Sequence, residues 1–450
     1  MLSHLSHNTK EAIKVGIAVA ISILLPLSLG WDKPYWAAIT VFIVAANETY
    51  SHAIRKGQNR LLGTLLGACY ATFLLAFFAQ ERLLFITFYV LFLALCVAMS
   101  SHKRFGYAFT IGFVVCTIIS TVGGFDSATT FNIAILRMKE NVLGIIAFSL
   151  VFRFIWPVKT ESTFFTLLKE SIYHIKLCLV NNGTNISKNN DEQIRRLTKL
   201  QEILALPLNG SSRLLNEKNR WKIIIDAMIK LETLSGVPSD IARHKKQGIH
   251  LIICSLSSLK SNQDKLKKWI DKTETDYLTT PLPQSSFAIP ASERLRKVIT
   301  AVSILVTCLL MWIYIPVPGG YIMPMISAIF ANVLVTLPNN AIKHAGIGSI
   351  VWGVFFLAQY IFIMPTLTEA WQLAGLFFAN GFFIWKVCAS PKMAIQKVLG
   401  GNLSVVLTMS ALQSTPSYSI ETPLLMLSLV FVCLGVASFY TKLYNPNLSI

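Results

Sequence analysis

The feature that most constrains this chain is a series of apolar runs, each near the length of a membrane-spanning helix, on both sides of a charged middle. A bilayer core of about 30 Å takes roughly 20 helical residues, because every backbone N–H and C=O must be bonded within the segment. Such runs lie at 13–30, 35–46, 61–79, 83–100, 107–122 and 132–156, and again at 298–315, 321–337, 342–364, 371–388, 395–411 and 422–442. The second run is short, as a broken or tilted span would be. From Lys159 to Glu293 the chain holds 20 of its 40 Lys and Arg and 14 of its 22 Asp and Glu. Charged residues make up only 14% of the 450 positions, against about 25% in ordinary soluble proteins. The expected fold is all-α and polytopic. A first transmembrane half of about six helices (1–157) and a second (293–450) are separated by a cytoplasmic helical domain (158–292).

The net charge of +18 does not point to nucleic acid, because polytopic proteins collect Lys and Arg in loops that are not translocated. One set of loops carries Lys10, Lys14, Arg55, Lys56, Arg60, Lys103, Arg104, Lys343, Lys386, Lys392, Lys397, Lys442 and the whole charged middle. The opposite set has Lys33, Arg82, Arg137 and Lys139 at most. Both termini are therefore expected in the cytoplasm. The first run lacks a small-x-small cleavage site and reads as a retained signal anchor. The eight cysteines are scattered without a Cys-x-x-Cys, and no histidine pairs with another ligand at metal spacing. They imply neither a disulfide framework nor a metal site, and no cofactor is expected. The phosphate loop, the Gly-x-Ser-x-Gly elbow and the His-Glu-x-x-His helix are all missing from the sequence, so an enzyme is not expected.

The middle reads as a helical bundle. Apolar residues recur at helical spacing in Phe164, Leu167, Leu168, Ile172, Ile175 and Leu179, and in Ile223, Ile224, Ala227, Met228 and Leu231. Turns are expected at Asn181-Asn182-Gly183 and Ser235-Gly236-Val237-Pro238, and a linker from Leu278 to Pro290. The clusters Arg243-His244-Lys245-Lys246 and Lys265-x-Lys267-Lys268 read as solvated faces, with lipid headgroups as the other reading. The flanks look like a duplication. Glu11-x-x-Lys14 answers Glu293-x-x-Arg296, and Ala46-Asn47 before Ala53-Ile54-Arg55-Lys56 answers Ala331-Asn332 before Ala341-Ile342-Lys343-His344. An even number of spans between the copies makes the repeat parallel, with a substrate site expected near the repeat interface.

Several residues stand out for chemistry. Gly63 and Gly67 form a small-xxx-small pair that lets another helix approach, and Arg60 precedes it by one turn at the cytoplasmic entrance of its helix. Arg137 and Glu140 lie three apart on one face. A charge at mid-bilayer costs about 3 kcal/mol on insertion scales and usually faces a cavity or partner. The other reading is an ordinary i,i+3 ion pair in the outer headgroup layer. Arg153 reads as a snorkelling anchor. Asn47 and Asn332, at equivalent ends of short spans, either line a path or bond helix to helix. Gly319-Gly320, Pro324 and Pro338 either break a helix or punctuate loops.

The Tyr35-Trp36-Ala37 run, the basic loop after it, Arg60-x-x-Gly63-Thr64-x-x-Gly67, Arg137-x-x-Glu140-x-x-x-Gly144 and Pro157 together resemble the fusaric-acid-resistance and aromatic-acid-exporter family of bacterial inner-membrane proteins. Relatives often carry a further cytoplasmic domain after the second membrane block; this sequence is read as lacking it. The resemblance implies a secondary transporter that exports small organic anions or toxic aromatic carboxylic acids with the proton gradient. It also implies a periplasmic adaptor (membrane fusion) protein as partner. On that reading Arg137 attracts the anion, Glu140 carries the proton, Trp36 stacks on a ring, Arg60 steers anions inward and Asn47 lines the path. Gly63, Gly67 and Gly144 pack helices. The bilayer itself and a second copy of the chain are the remaining candidate partners. A gated anion channel is one alternative, since plant malate channels are similar over the first half. A non-transporting envelope protein whose middle domain captures a partner is the other.

Overall fold

Each of the twelve apolar runs folds as a helix. The computed structural model describes residues 5–31, 35–46, 50–124, 126–156, 160–180, 190–205, 212–233, 239–256, 260–276, 289–337, 341–390, 393–413 and 416–444. The first flank supplies α1 (His7–Ser28), α2 (Tyr35–Ala45), α3 (Tyr50–Phe78), α4 (Arg82–Met99), α5 (Gly106–Val122) and α6 (Ser127–Phe154). The middle supplies α7 (Thr160–Val180), α8 (Asn190–Ala205), α9 (Ser212–Asn216), α10 (Lys218–Thr233), α11 (Ser239–Ser255) and α12 (Lys260–Asp276). The second flank supplies α13 (Ala291–Tyr314), α14 (Ile322–Leu334), α15 (Ala341–Phe362), α16 (Ala370–Val387), α17 (Ala394–Val406) and α18 (Glu421–Tyr444). No β-strand occurs among the described residues. Among the described residues, six helices are long and apolar enough to cross a membrane: α1, α3, α4, α13, α15 and α18; α2, α5 and α14 are apolar but shorter.

Local chemistry sets where these helices begin and stop. Ser6 caps α1, its hydroxyl accepting from the Thr9 N–H at 3.3 Å. Asp126 caps α6 by accepting from the Thr129 N–H at 2.8 Å, satisfying an amide that the helix leaves open. Hydrogen bonds from the Thr129 hydroxyl and amide hold that exposed carboxyl below the ordinary carboxylate range. Gly319 and Gly320 take left-handed φ values of +91° and +55° in the turn between α13 and α14. Pro324 falls in the first turn of α14, where a missing N–H breaks no helical bond. These residues therefore punctuate a connection and do not break a span. Pro338 lies outside the described residues.

The chain divides into two compact units. The first comprises 1–48, 56–156 and 285–450 and contains both flanks. Its helix neighbours repeat in pairs. α1 packs on α16 as α13 packs on α4, and α2 packs on α17 as α14 packs on α5. Within the flanks, α1–α2, α1–α6 and α2–α6 match α13–α14, α13–α18 and α14–α18. Helices in lipid gain little from the hydrophobic effect and associate through close backbone approach. Glycines provide it at the crossings. A Cβ on Gly63 would run into the Ala108 carbonyl and one on Gly67 into the Gly112 carbonyl, both on α5. On Gly144 it would lie 2.6 Å from the Ala37 carbonyl of α2. At α1–α16, a Cβ on Gly381 would come within 3.3 Å of the Gly16 Cα.

The second unit comprises 49–55 and 157–284. Phe164 and Leu168 of α7, Leu197 and Leu200 of α8, Ile224 and Met228 of α10, Ile252 of α11 and Trp269 of α12 share one buried core. The Trp269 indole N–H donates to the His244 carbonyl at 3.2 Å, and the His244 ring stacks on it at 5.0 Å. His244 is thus a core residue, while Lys246, Lys265, Lys267 and Lys268 are exposed. The side chains of Arg243 and Lys245, the expected turns at 181–183 and 235–238 and the linker at 278–288 lie outside the described residues.

The glycine crossings make a testable distinction. Gly67→Val forces a Cβ against backbone that no rotamer change can relieve, and should destabilise the membrane unit by about 1–3 kcal/mol. Gly435→Ala, with nothing within 4 Å of the added carbon, should leave the thermal unfolding midpoint in detergent unchanged.

Candidate functional site

The two longest helices of the first flank carry Arg60 and the Arg137–Glu140 pair. α3 has 29 residues and α6 has 28. At 1.5 Å per residue, Arg60 and Arg137 each stand about 15 Å in from the first residue of their helix. Arg60 is 5% exposed, Arg137 4% and Glu140 0%. Arg137 and Glu140 form the i,i+3 ion pair, and both are buried among helices. Arg60, expected at a mouth, is buried inside the bundle.

Arg60 is a hub for four helices. Its Nε donates to the Asn141 Oδ1 of α6 at 2.7 Å and to the Thr40 Oγ1 of α2 at 3.1 Å. Its Nη1 donates to the Tyr107 hydroxyl of α5 at 3.2 Å. Thr40 in turn donates to the Asn141 Oδ1 at 2.8 Å, and the Asn141 Nδ2 donates to the Thr64 Oγ1 at 2.8 Å. Arg60's partners are thus neutral oxygens, so its charge is solvated without being cancelled.

Arg137 is held differently. Its Nη1 lies 3.0 Å from the Glu140 carboxylate one turn along α6, and its guanidinium covers the Trp36 ring at 4.5 Å. A cation over an indole face is attracted by the ring quadrupole, more strongly when both are desolvated. Tyr35, whose ring is 6.0 Å from that of Trp36, also interacts with Arg137, and the charge of Arg60 reaches it as well. On the other side of Arg60, the Lys56 ammonium stands over the Tyr107 ring at 5.0 Å and feels the Arg60 charge. Lys56, Arg60 and Arg137 therefore form a row linked by Tyr107 and by the face of α6 that bears 137, 140 and 141.

The structure brings Trp36, Arg60, Arg137 and Glu140 together inside the first flank, with Gly63, Gly67 and Gly144 at the helix contacts beside them. Asn47 lies outside the described residues. Asn332 is buried on α14 and donates to the Thr110 carbonyl of α5 at 2.8 Å, a helix-to-helix bond. Arg153 is exposed. Four network members were given no role from sequence: Thr40, Thr64, Tyr107 and Asn141. Three of them follow a named residue by four positions (Trp36, Arg60 and Arg137), which places each pair on one helix face. That spacing was the available signal. Tyr107 had none.

A bundle of apolar helices around a buried polar centre defines a polytopic helical membrane protein. The sequence signature of the Fusaric acid resistance protein family (FUSC) spans residues 10–235, and the chain belongs to that family. It is 28% identical over 241 residues to the p-hydroxybenzoic acid efflux pump subunit AaeB of Edwardsiella ictaluri (strain 93-146), covering 50% of this chain and 36% of the relative. To the protein of that name from Escherichia coli O1:K1 / APEC it is 24% identical over 310 residues, covering 65% and 44%. The chain thus aligns with less than half the length of these relatives. No solved structure matches it.

The hub can be probed directly. Asn141→Leu leaves a buried guanidinium short of an acceptor and should cost about 1–3 kcal/mol in thermal unfolding. Pairing it with Arg60→Met removes both partners, and the double variant should recover part of that loss.

Proposed function

We propose that this chain is the membrane subunit of a secondary transporter in the bacterial inner membrane that exports small organic anions, aromatic carboxylic acids above all. The observation that carries this reading is the row of Lys56, Arg60 and Arg137 inside an apolar helical unit, with the carboxylate of Glu140 beside Arg137 and neutral oxygens around Arg60. Uncancelled positive charge is costly to bury, and within a membrane it marks a path for anions. Arg60 would take the substrate carboxylate in transit. Arg137 would take it next, displacing Glu140, while Trp36 presents a ring face to an aromatic substrate. Exchange of Arg137 between Glu140 and the substrate makes Glu140 the group that carries the coupled proton. The inside-negative membrane potential adds about 2.3 kcal/mol per charge per 100 mV to the outward movement of an anion.

The paired helix contacts support reading the flanks as a parallel repeat; the uneven spread of Lys and Arg among the loops supports a cytoplasmic middle unit and cytoplasmic termini. The relatives are named as subunits of an efflux pump, which supports a partner chain such as a periplasmic adaptor. A gated anion channel would use the same row of cations; unitary currents in a planar bilayer, without any need for a proton gradient, would replace the carrier reading.

Uptake of p-hydroxybenzoate into inverted vesicles tests the proposal. Arg137→Ala and Arg60→Gln are each expected to lower gradient-driven uptake at least about tenfold, the scale of one lost charge-assisted hydrogen bond. Glu140→Gln should abolish the response to an imposed pH gradient while keeping that to a potential. No driven uptake by the wild type, or full uptake by Arg137→Ala, would sink the mechanism.

A further inference from the structure

We propose that the end of the membrane unit where α1 begins holds a binding site for the headgroup of an anionic phospholipid, built across the seam between the two flanks. Four lysines meet there: Lys10 and Lys14 of α1, Lys386 in the last turn of α16 and Lys397 in α17. Lys14 is 1% exposed and fully engaged. Its ammonium pairs with Glu11, donates to the Trp156 carbonyl at 3.3 Å and stands over the Phe152 ring at 4.8 Å. It is a structural post that fixes Glu11 and the end of α6.

The other three lysines surround that post and keep donors to spare. Lys386 donates to the Thr9 hydroxyl at 2.5 Å. Lys10 lies over the Trp156 ring at 5.9 Å, and Lys397 over the Trp385 ring at 5.6 Å. The Glu11 charge reaches Lys397, so these groups share one neighbourhood. An ammonium has three N–H donors, and a ring face or one hydroxyl leaves most of them open. Among the described residues, the carboxylate seen beside these four lysines is that of Glu11. A phosphate, with several acceptor oxygens and a negative charge, complements that excess.

Two further features favour a lipid over free phosphate. The same helix ends carry exposed apolar side chains: Phe154 (73%) on α6, and Val387 (48%) and Phe383 (43%) on α16. Acyl chains would lie on these while the headgroup reaches the lysines. Trp156, the partly exposed ring under Lys10, is of the type that favours the headgroup level of a bilayer. Basic pockets between membrane helices are established headgroup sites.

Native mass spectrometry of the full chain in detergent tests this, with phosphatidylglycerol and phosphatidylcholine titrated in turn. The wild type should retain phosphatidylglycerol in preference. At about fivefold per lysine near a lipid surface, Lys10→Gln/Lys386→Gln/Lys397→Gln should weaken it by more than tenfold. The corresponding Arg triple should retain it. Lys265→Gln/Lys267→Gln/Lys268→Gln, which removes equal charge from α12, should bind like the wild type. If the Gln triple does not fold, the three single substitutions carry the same expectation at about fivefold each. Equal retention of both lipids by the wild type, or undiminished phosphatidylglycerol binding by the Gln variants, overturns the proposal. Displacement of the lipid by millimolar glycerol 3-phosphate would overturn the lipid assignment in favour of a free phosphate site.

Discussion

A guanidinium buried about 15 Å along a membrane-length helix has to find its hydrogen bonds in protein. Arg60 meets that demand with acceptors from α2, α5 and α6 while it stands on α3, so one side chain ties four helices. Thr40, Thr64 and Asn141 are short, and they reach one another only because the backbones are close. Gly63, Gly67 and Gly144 allow that closeness, since a Cβ at any of them would meet a carbonyl of the neighbouring helix. The polar network and the glycine crossings are therefore one constraint seen from two sides: losing the approach would strand the charge, and losing the charge would remove the reason for the approach.

The second flank repeats the neighbours but not the chemistry. On α6 the buried positions include 133, 137, 140, 141 and 144; on α18 they include 426, 430, 433, 434 and 437, at identical spacing. Where the first series reads Ile133, Arg137, Glu140, Asn141 and Gly144, the second reads Met426, Val430, Cys433, Leu434 and Ala437. The second flank's buried polar pair, Gln359 and Asn380, closes on itself through reciprocal amide bonds of 2.9 and 2.8 Å. The second flank also packs against the first. Phe42 of α2 stacks on Trp385 of α16 at 5.6 Å and packs where a Cβ on Gly401 of α17 would have to be. α2, which carries Trp36 and Thr40, is thus braced from outside its own flank.

What could be read from sequence divides along physical lines. The helices were legible because a run of apolar residues has few other ways to satisfy its backbone in lipid, and Arg137 with Glu140 was legible because charges in such a run are conspicuous. Depth was not legible. Arg60 sits between a basic loop and an apolar run, and composition does not say that α3 begins ten residues earlier, at Tyr50. Nor did it reveal that Lys14 is buried, since a lysine near a helix start ordinarily faces solvent; only its contacts with Glu11 and Trp156 account for it. Threonines in an apolar helix carry no mark of their own, because the same residue can bond its own i−4 carbonyl and nothing else. Thr40 has the Trp36 carbonyl within reach at 3.0 Å as an alternative acceptor for its one hydroxyl proton, while its oxygen accepts from Arg60.

The arrangement of the two arginines bears on direction if the chain carries anions as proposed. Passage needs binding strong enough to draw a solute in and weak enough to let it go. Arg60, bonded to neutral oxygens, offers its full charge to an entering carboxylate. Arg137 already has a carboxylate 3.0 Å away, so any substrate it takes must compete with Glu140 and is held less firmly. A strong station followed by a contested one is a gradient built from the same residue type, and what differs between the two is only the partner. Asn141 and Glu140, adjacent on α6, are those partners: one amide and one acid, on one turn of one helix, set the two arginines apart.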